Sequence, residues 1–252
     1  HLFSLGNKIT LWEYDTVRMA KLKETRRLPT LPQLAYLPDE ITVTANLQTS
    51  IEAAEIIILA VPSPAFRETV NKIQPFYQQN NHLLVSVTKG LEKNTLKRMS
   101  QIIEENLPQA QFGVLSGPSH AEEVCSQKPT AVVASGYEEF IRNKIRDLFT
   151  APFFRVYTNA DVAGVELGAA LKNVYAIASG ICDGLELGDN SKAALLTRSL
   201  AELSRAGVKL GGILTTFFGL AGVGDLAVTC YSQHSRNRAF GEKIGRGEQQ
   251  TA

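Results

Sequence analysis

The sequence predicts an α/β domain with a parallel sheet over residues 1–159, followed by an all-helical domain over residues 160–252. Three observations support this fold class. Short β-rich runs alternate with helical periods from Gly6 to about Asn159, as in repeated βα units. The run Ile56–Val61 is apolar without alternation, as expected of a strand buried on both faces of a parallel sheet. After Asn159 the strand signals end, and Ala, Gly and Leu recur at helical spacing.

Within the first domain the pattern predicts seven strands, four helices and one long loop. The strands are predicted at Lys8–Glu13, Ile41–Ala45, Glu55–Val61, His82–Val87, Phe112–Leu115, Thr130–Ala134 and Arg155–Thr158. The helices are predicted at Pro64–Gln78, Thr95–Glu105, His120–Cys125 and Glu138–Phe149. The proline-spaced segment Leu28–Pro38 is predicted to be an extended loop. In proteins with two such halves, ligand sites lie preferentially in the cleft between them.

Composition and charge limit the classes of protein to which this chain can belong. Lys and Arg number 26 and Asp and Glu number 25, and this net charge of +1 argues against a general nucleic-acid binder. Three widely spaced cysteines and four histidines suggest neither a metal site nor a disulfide framework. We find no signal-peptide pattern and no apolar run that reaches a bilayer span. We therefore expect a cytoplasmic protein without an integral membrane segment.

Both ends of the sequence are abrupt. The segment His1–Asn7 has the pattern of a helix end, with Gly6 as its C-cap. The last residues, up to Ala252, likewise break off without a pattern that ends a domain. We therefore expect further sequence upstream of His1 and beyond Ala252.

Two predicted strands end in residues that could meet a ligand, because ligands of doubly wound sheets bind at the carboxyl ends of the strands. Lys89 follows one of these strands and would meet an anion, while Gly90 lets the backbone turn closely around it. The alternative is a solvated loop lysine. The turn Val61–Pro64 follows the other strand, although Ser63 as a helix N-cap would also explain it.

A third candidate segment follows the strand that ends near Leu115. Ser119 and Glu122 have the spacing of a capping box, which predicts that a helix starts there. Gly117 and the free N–H groups of that first turn could hold a hydroxyl or a phosphate. Capping alone would also explain Ser119.

Lys172 is the only charged residue between Leu167 and Cys182. In a closely packed helix rich in Ala and Gly the ammonium loses hydration, and this lowers its pKa. A partly neutral amine near pH 7 can exchange a proton with a substrate hydroxyl. The alternative is a lysine that snorkels out of the helix, but its small neighbours offer little cover for the stem. We therefore favour a functional role for Lys172.

Two further segments of the helical domain could contact a substrate. Gly219–Leu226 contains Gly-x-x-Gly-x-Gly but follows no strand, so we interpret it as a helix start. There Asp225 could accept from a substrate hydroxyl or act as a plain N-cap. Ser235 is predicted to cap the next helix, whose first turn contains Arg236 and Asn237. Backbone donors, the positive end of the helix dipole and a guanidinium suit a phosphate, although a solvated surface is the alternative.

In this order and spacing, the motifs strongly resemble the bacterial-type NAD(P)-dependent glycerol-3-phosphate dehydrogenase family, from about Gly6 to Gly247. The runs Glu-Leu-Gly-Ala-Ala-Leu-Lys-Asn-Val and Gly-Asp-Leu…Ser-Arg-Asn-Arg are the most specific. The resemblance implies a Rossmann-like dinucleotide-binding domain, incomplete at its N-terminus because the first strand and glycine-rich turn would precede His1. It also implies that the helical substrate-binding domain is truncated and that activity requires the missing segments.

The resemblance further implies that the parent enzyme interconverts dihydroxyacetone phosphate and sn-glycerol 3-phosphate, supplying glycerol phosphate for phospholipid synthesis. It implies that Lys172 is catalytic. The implied substrate contacts are Lys89, Gly117, Ser119, Lys172, Asp225, Ser235, Arg236 and Asn237. The implied cofactor contacts are Tyr14, Lys89, Ala121 and Arg236.

The cofactor is expected to be NAD or NADP. Glu13 and Asp15 lie at the end of the first strand of this chain, which corresponds to the second strand of the family. They could accept a hydrogen bond from a ribose 2′-hydroxyl, which favours NAD. Arg18 could instead bind the 2′-phosphate of NADP. The expected partner is a phosphorylated triose rather than nucleic acid, with a homodimer left open. Two rivals remain: a related dehydrogenase acting on a hydroxy acid or ketopantoate, and a non-catalytic ligand-binding protein.

Overall fold

The computed structural model describes residues 1–28 and 36–248, and within them seven strands form two sheets. The strands are β1 (Thr10–Trp12), β2 (Thr42–Thr44), β3 (Ile56–Leu59), β4 (Leu83–Ser86), β5 (Gln111–Ser116), β6 (Thr130–Ser135) and β7 (Phe154–Asn159). β1 pairs with β2 in parallel, and β3 to β7 form a second sheet in chain order. All seven overlap the strands that the sequence predicts.

Eleven helices accompany these strands in the described part of the chain. They are α1 (Thr16–Thr25), α2 (Leu47–Glu52), α3 (Ser63–Ile73), α4 (Met99–Asn106), α5 (Ala121–Cys125), α6 (Glu139–Phe149), α7 (Val162–Gly184), α8 (Gly188–Lys209), α9 (Leu214–Phe217), α10 (Asp225–Tyr231) and α11 (Arg236–Gly245). Short 3₁₀ turns cover Phe3–Leu5 and Gln74–Phe76, and a π-turn covers Leu220–Gly224. The α/β domain followed by helices is therefore confirmed.

Several element bounds differ from the sequence prediction for local reasons. The pattern does not predict the short helices α1 and α2, which begin after the capping side chains of Asp15 and Asn46. α3 ends at Ile73 because Pro75 lies just beyond it and cannot donate to the helix. Most of the predicted loop, residues 29–35, lies outside the described residues. The predicted C-cap at Gly6 is confirmed, with φ of +86° after a 3₁₀ turn.

The five-stranded sheet is mixed, which corrects the expectation of parallel βα units throughout. β6 runs antiparallel to β5, whereas β3 to β5 are parallel and β6 and β7 are parallel. Between β5 and β6 the only helix is the five-residue α5, so the chain turns back at the same edge instead of crossing over. The link that follows Ser116 therefore stays at the carboxyl end of β5.

β4, rather than the run Ile56–Val61, is the most buried strand. All four residues of β4 are buried, whereas β3 alternates between half-buried and buried residues because it lies at the end of the five-stranded sheet. Phe66 of α3 and Ile102 of α4 pack on one face of this sheet, and Ile145 of α6 packs on the other. Both faces are covered, so the ends of the strands are left to carry the site.

α7 is the central helix of the second domain, and its small residues allow α11 to pack very closely. A Cβ added at Gly180 would overlap the carbonyl oxygen of Arg238, and one added at Gly241 would overlap that of Ile177. Glycines that recur at helical spacing in the sequence therefore allow the two helices to pack closely. This contact brings the start of α11 to the side of α7.

A buried ion pair joins the two domains near the start of α7. Glu166 accepts a hydrogen bond from the Ser100 backbone at 2.8 Å and another from the Arg98 guanidinium at 2.7 Å. The Glu166 side chain is 4% exposed. Because Arg98 and Ser100 belong to the start of α4, this pair ties the α/β domain to α7 at a point six residues before Lys172.

One stretch, Leu214–Tyr231, is long and apolar enough by length and composition to cross a membrane, with a mean hydropathy of 1.3. In the structure it is broken into α9, the π-turn and α10. Phe217, Leu226 and the carboxylate-bearing Asp225 within it are buried. This is the behaviour of a core segment, so the stretch is weak evidence for a membrane span.

Candidate active site

Three predicted site residues meet in one buried ion cluster. Lys172 donates to Asp225 Oδ1 and, at 2.8 Å, to the hydroxyl of Thr229. Lys89 donates to Asp225 Oδ2 at 2.8 Å and to the carbonyl oxygen of Gly117 at 2.9 Å. Lys172 is 5% exposed and Asp225 is 1% exposed. The cluster therefore joins the ends of β4 and β5 to helices α7 and α10.

Burial controls the protonation of Lys172. Loss of hydration lowers its pKa from 10.5 to about 8; the Asp225 carboxylate raises the pKa and the second ammonium, on Lys89, lowers it. The predicted burial is confirmed, and a snorkelling lysine is excluded. An amine with this pKa can both donate and accept a proton close to neutral pH, as acid–base chemistry requires.

Asp225 is held by the π-turn that precedes α10. An added Cβ at Gly222 would overlap the carbonyl oxygen of Phe217, and one at Gly168 of α7 would overlap that of Ala221. Gly168 thus allows the π-turn to lie directly on α7, and Gly222 allows it to fold closely against Phe217. Asp225 begins α10 as predicted, but its carboxylate accepts from the two lysines instead of capping the helix. Thr229 lies one turn later on the same face, and only this i, i+4 spacing in the sequence signals its role.

The loop after β4 is tied to the loop after β3. Thr88 donates through its hydroxyl to the carbonyl oxygen of Val61 at 2.7 Å. Gly90 has φ of +126°, and a Cβ there would lie 3.1 Å from Ser63 Oγ. The Lys89 ammonium donates to Asp225 and to the carbonyl oxygen of Gly117, so the alternative of a lysine that projects into solvent is wrong. Ser63 is not an N-cap, because α3 begins at Ser63 with Pro62 at the cap position.

These loops fit a dinucleotide. A glycine in a left-handed conformation, pressed against a neighbouring loop at the carboxyl edge of the sheet, is the kind of backbone surface that nucleotides contact. Tyr14 follows β1, at the carboxyl end of that strand, and is 64% exposed, with the Arg18 guanidinium 5.7 Å from its ring centre. Ala121 is exposed at the start of α5. The edge residues therefore suit the group that the resemblance implies.

The acidic side chains after β1 are partly committed to local structure. Asp15 accepts from the backbone N–H groups of Val17 at 2.9 Å and Arg18 at 3.0 Å, and so caps α1. These backbone donors hold the pKa of Asp15 below its usual value. Both backbone donors share Oδ1 of Asp15, and its second oxygen, Oδ2, lies 3.6 Å from Nε of Arg18. Glu13 likewise uses one oxygen, which accepts from the Asp15 backbone at 3.1 Å. A role of either carboxylate toward a ribose 2′-hydroxyl therefore stays a prediction.

The link between β5 and α5 contributes Gly117 and Ser119. Gly117 has φ of +143°, and its Cβ would lie 3.0 Å from the Val132 backbone, so glycine is required. Ser119 donates to the Gly117 carbonyl oxygen at 3.1 Å. The predicted capping box is wrong, because α5 starts one residue later with His120 at the cap position. The hydroxyl of Ser119 is thereby kept in the loop beside Lys89.

The start of α11 reaches α7 beside Lys172. Ser235 caps α11 as predicted, accepting from the Arg238 backbone at 3.2 Å. Asn237 donates to the side-chain oxygen of Asn173 at 2.9 Å. Arg236 is exposed, and we find no side-chain partner for it within residues 1–28 and 36–248. The predicted helix start thus forms, and binding of a phosphate there stays a prediction.

Metal and disulfide chemistry have no support in the part of the chain that the structure describes. No group of three or more His, Cys, Asp or Glu side chains is suitably placed for a metal ion there. The three cysteines, Cys125, Cys182 and Cys230, are free. The buried ion cluster is the chemically distinctive feature.

Two family models cover almost the whole chain. Residues 1–140 match the model described as NAD-dependent glycerol-3-phosphate dehydrogenase N-terminus, and residues 161–252 match the model of the C-terminus. The chain belongs to this family. The fold and the cofactor class agree with that membership.

Individual relatives give the same result. A glycerol-3-phosphate dehydrogenase, NAD(P)+, of Fusobacterium nucleatum is 46% identical over 96% of this chain and 73% of its own length. One from Thermoanaerobacter is 47% identical over 98% of the chain and 74% of its length. A crystal structure of glycerol-3-phosphate dehydrogenase from Coxiella burnetii superimposes with a TM-score of 0.92 at 36% identity, covering 98% of this chain and 75% of that one.

The close packing of the π-turn predicts a sharp difference between two glycines. Gly222→Ala should push the π-turn off Phe217 and displace Asp225, lowering kcat about 100-fold, the usual scale for a misplacement of about 1 Å. Gly224→Ala should leave kcat nearly unchanged, because an added Cβ there would make only ordinary contacts, the nearest at 3.6 Å. Steady-state kinetics, with circular dichroism as a check of folding, measures both. Equal kcat values in the two variants would contradict this description of the π-turn.

Proposed function

We propose that the enzyme interconverts dihydroxyacetone phosphate and sn-glycerol 3-phosphate with NAD or NADP, and so supplies glycerol phosphate for phospholipid synthesis. The observation that carries the proposal is the buried Lys172–Asp225 pair beside the first turn of α11, which comprises Ser235, Arg236 and Asn237 and is called the phosphate turn below. Family membership supports the same reaction. Residues 1–159 would bind the dinucleotide and residues 160–252 the substrate.

Lys172 is the proposed acid–base group. When bound, the nicotinamide supplies or accepts the hydride. In the reductive direction the substrate carbonyl oxygen gains negative charge, and the Lys172 ammonium stabilises it and donates a proton. In the oxidative direction the neutral amine accepts the hydroxyl proton. Asp225 orients the Lys172 side chain, and Lys89 adds a second positive charge to the site.

The remaining site residues have proposed roles in binding. Gly117 and Ser119 would contact the glycerol part of the substrate, and Ser235, Arg236 and Asn237 its phosphate. Tyr14, Lys89, Ala121 and Arg236 would contact the cofactor. The support is their arrangement around the ion cluster and along the carboxyl edge of the sheet.

We propose NAD as the preferred cofactor, with Glu13 as the acceptor for the ribose 2′-hydroxyl. Asp15 caps α1 through Oδ1 and lies near Arg18, whereas Glu13 accepts a single backbone hydrogen bond, so Glu13 is the less committed of the two acidic groups after β1. Arg18 would give NADP an alternative partner through its guanidinium, which lies beside Tyr14.

The enzyme is also proposed to work in the cytoplasm on a free phosphorylated triose and without nucleic acid. The balanced charge and the free cysteines support this environment. A homodimer is a further proposal, supported by exposed apolar side chains around the α8–α9 turn, among them Leu210, Ile213 and Leu214.

The central test of the proposed function is Lys172→Ala. It should lower kcat for reduction of dihydroxyacetone phosphate by about 100-fold or more, because the positioned proton donor is lost. Cofactor affinity should barely change, and Lys172→Arg should rescue little because a guanidinium stays protonated. Steady-state kinetics of NADH and NADPH oxidation in the full-length enzyme gives the answer. A near-normal kcat in Lys172→Ala would contradict the proposal. So would an unsubstituted enzyme that oxidises neither NADH nor NADPH with dihydroxyacetone phosphate.

The phosphate turn gives a second test, Arg236→Ala. We expect KM for dihydroxyacetone phosphate to rise by the equivalent of about 1.5–3 kcal/mol, with a smaller effect on kcat, because phosphate binding is shared by ground and transition states. Arg246→Ala is the matched control, since Arg246 lies just beyond the other end of α11 and pairs with Glu242. If both variants had the same KM, Arg236 would not bind the phosphate. Turnover of unphosphorylated dihydroxyacetone at an equal rate would favour the hydroxy-acid rival.

A further inference from the structure

His120 is a residue of the site loop to which the sequence motifs assign no role. It lies between Ser119 and Ala121, at the cap position of α5, but its side chain makes no capping bond. Its Nε2 atom is buried and has no hydrogen-bond partner in the described part of the chain. A buried polar atom without a hydrogen-bond partner lowers the stability of a protein. Beside a binding site, such an atom indicates that a bound ligand supplies the missing partner.

The ring of His120 faces the phosphate turn. Its centre lies 5.9 Å from the ring centre of His234, which directly precedes the α11 cap Ser235. The two imidazoles therefore connect the β5–α5 link of the α/β domain to the turn that presents Arg236. This places the His120 ring on the side of the site where the substrate phosphate is proposed to bind.

The charges around His120 favour an anionic ligand. The groups that act on the ring are the ammonium groups of Lys172 on α7 and Lys89 after β4, the carboxylate of Glu122 on α5, and His234 before α11. Burial lowers the pKa of His120, and both lysines lower it further, so the free enzyme holds a neutral imidazole at pH 7. A phosphate dianion would offset the two ammonium charges and favour protonation of the ring.

We propose that His120 is a further substrate-binding residue, whose Nε2 donates a hydrogen bond to a phosphate oxygen of the substrate and whose ring takes up a proton as that phosphate binds. The proton comes from solvent, and no covalent bond to the substrate forms. This inference rests on the proposed function, since it names a further contact for the same phosphate. It makes substrate affinity depend on pH through a group outside the acid–base pair.

Two substitutions separate binding from packing. His120→Phe keeps an aromatic ring but removes the donor, and should raise KM for dihydroxyacetone phosphate about tenfold near pH 6.5 with kcat nearly unchanged, as for loss of one charge-assisted bond. His120→Gln keeps an N–H donor but cannot take up a proton. The ratio of the KM of this variant to the KM of the unsubstituted enzyme should be about five near pH 6 and should fall to nearly one near pH 8.5.

A binding measurement complements the kinetics. Calorimetric titration of sn-glycerol 3-phosphate, in buffers with different ionisation enthalpies at pH 7, should show proton uptake by the unchanged enzyme and less uptake by His120→Gln. A KM ratio that is constant over this pH range, with equal proton uptake, would show that His120 is structural. A fall in kcat with unchanged KM would also overturn the inference. If the unsubstituted enzyme bound sn-glycerol 3-phosphate but did not turn over the substrate, the proposed function would be contradicted. The calorimetric test of His120 would still give an answer, because it measures binding only.

Discussion

The site depends on one buried carboxylate that is shared by two ammonium groups. Asp225 accepts from Lys172 through one oxygen and from Lys89 through the other, and it is 1% exposed. Breaking a buried pair by removing one partner typically costs about 3–5 kcal/mol, because the remaining charge stays desolvated. Since the two lysines come from different domains, the same interaction holds the domains at the site and sets the proton affinity of Lys172.

The rest of the structure brings these three side chains together. Gly168 lets the π-turn pack directly on α7, and Gly222 lets it fold closely against Phe217, which together hold Asp225 at Lys172. Glu166, held by Arg98, fixes α7 against α4 from the other side. Further along α7, glycine contacts admit α11 and so place its first turn beside Asn173. The small residues of the helical domain are therefore required by the geometry of the site.

Local sequence signals identify the parts of the site but not all of their contacts. A single charge in a run of small apolar residues is enough to predict the burial of Lys172. The strands, the helix start at Asp225 and the Ser235 cap also depend on neighbouring residues, and the structure confirms them. The capping box at Ser119 is wrong, because the same spacing is compatible with a loop bond to Gly117. The antiparallel β6, the partners of Thr229 and the pairing of His120 with His234 depend on residues distant in sequence, which periodicity cannot show.

The direct test of this account is the titration of Lys172 itself. Enzyme labelled with ¹³C and ¹⁵N in lysine, with the resonance assigned by its absence in Lys172→Arg, gives the pKa by nuclear magnetic resonance. The account predicts a pKa of about 8 in the unchanged enzyme. It predicts a lower pKa in Asp225→Asn, because the carboxylate that favours the ammonium is removed. Titration near the ordinary value of 10.5, or a pKa that does not fall in Asp225→Asn, would contradict the account.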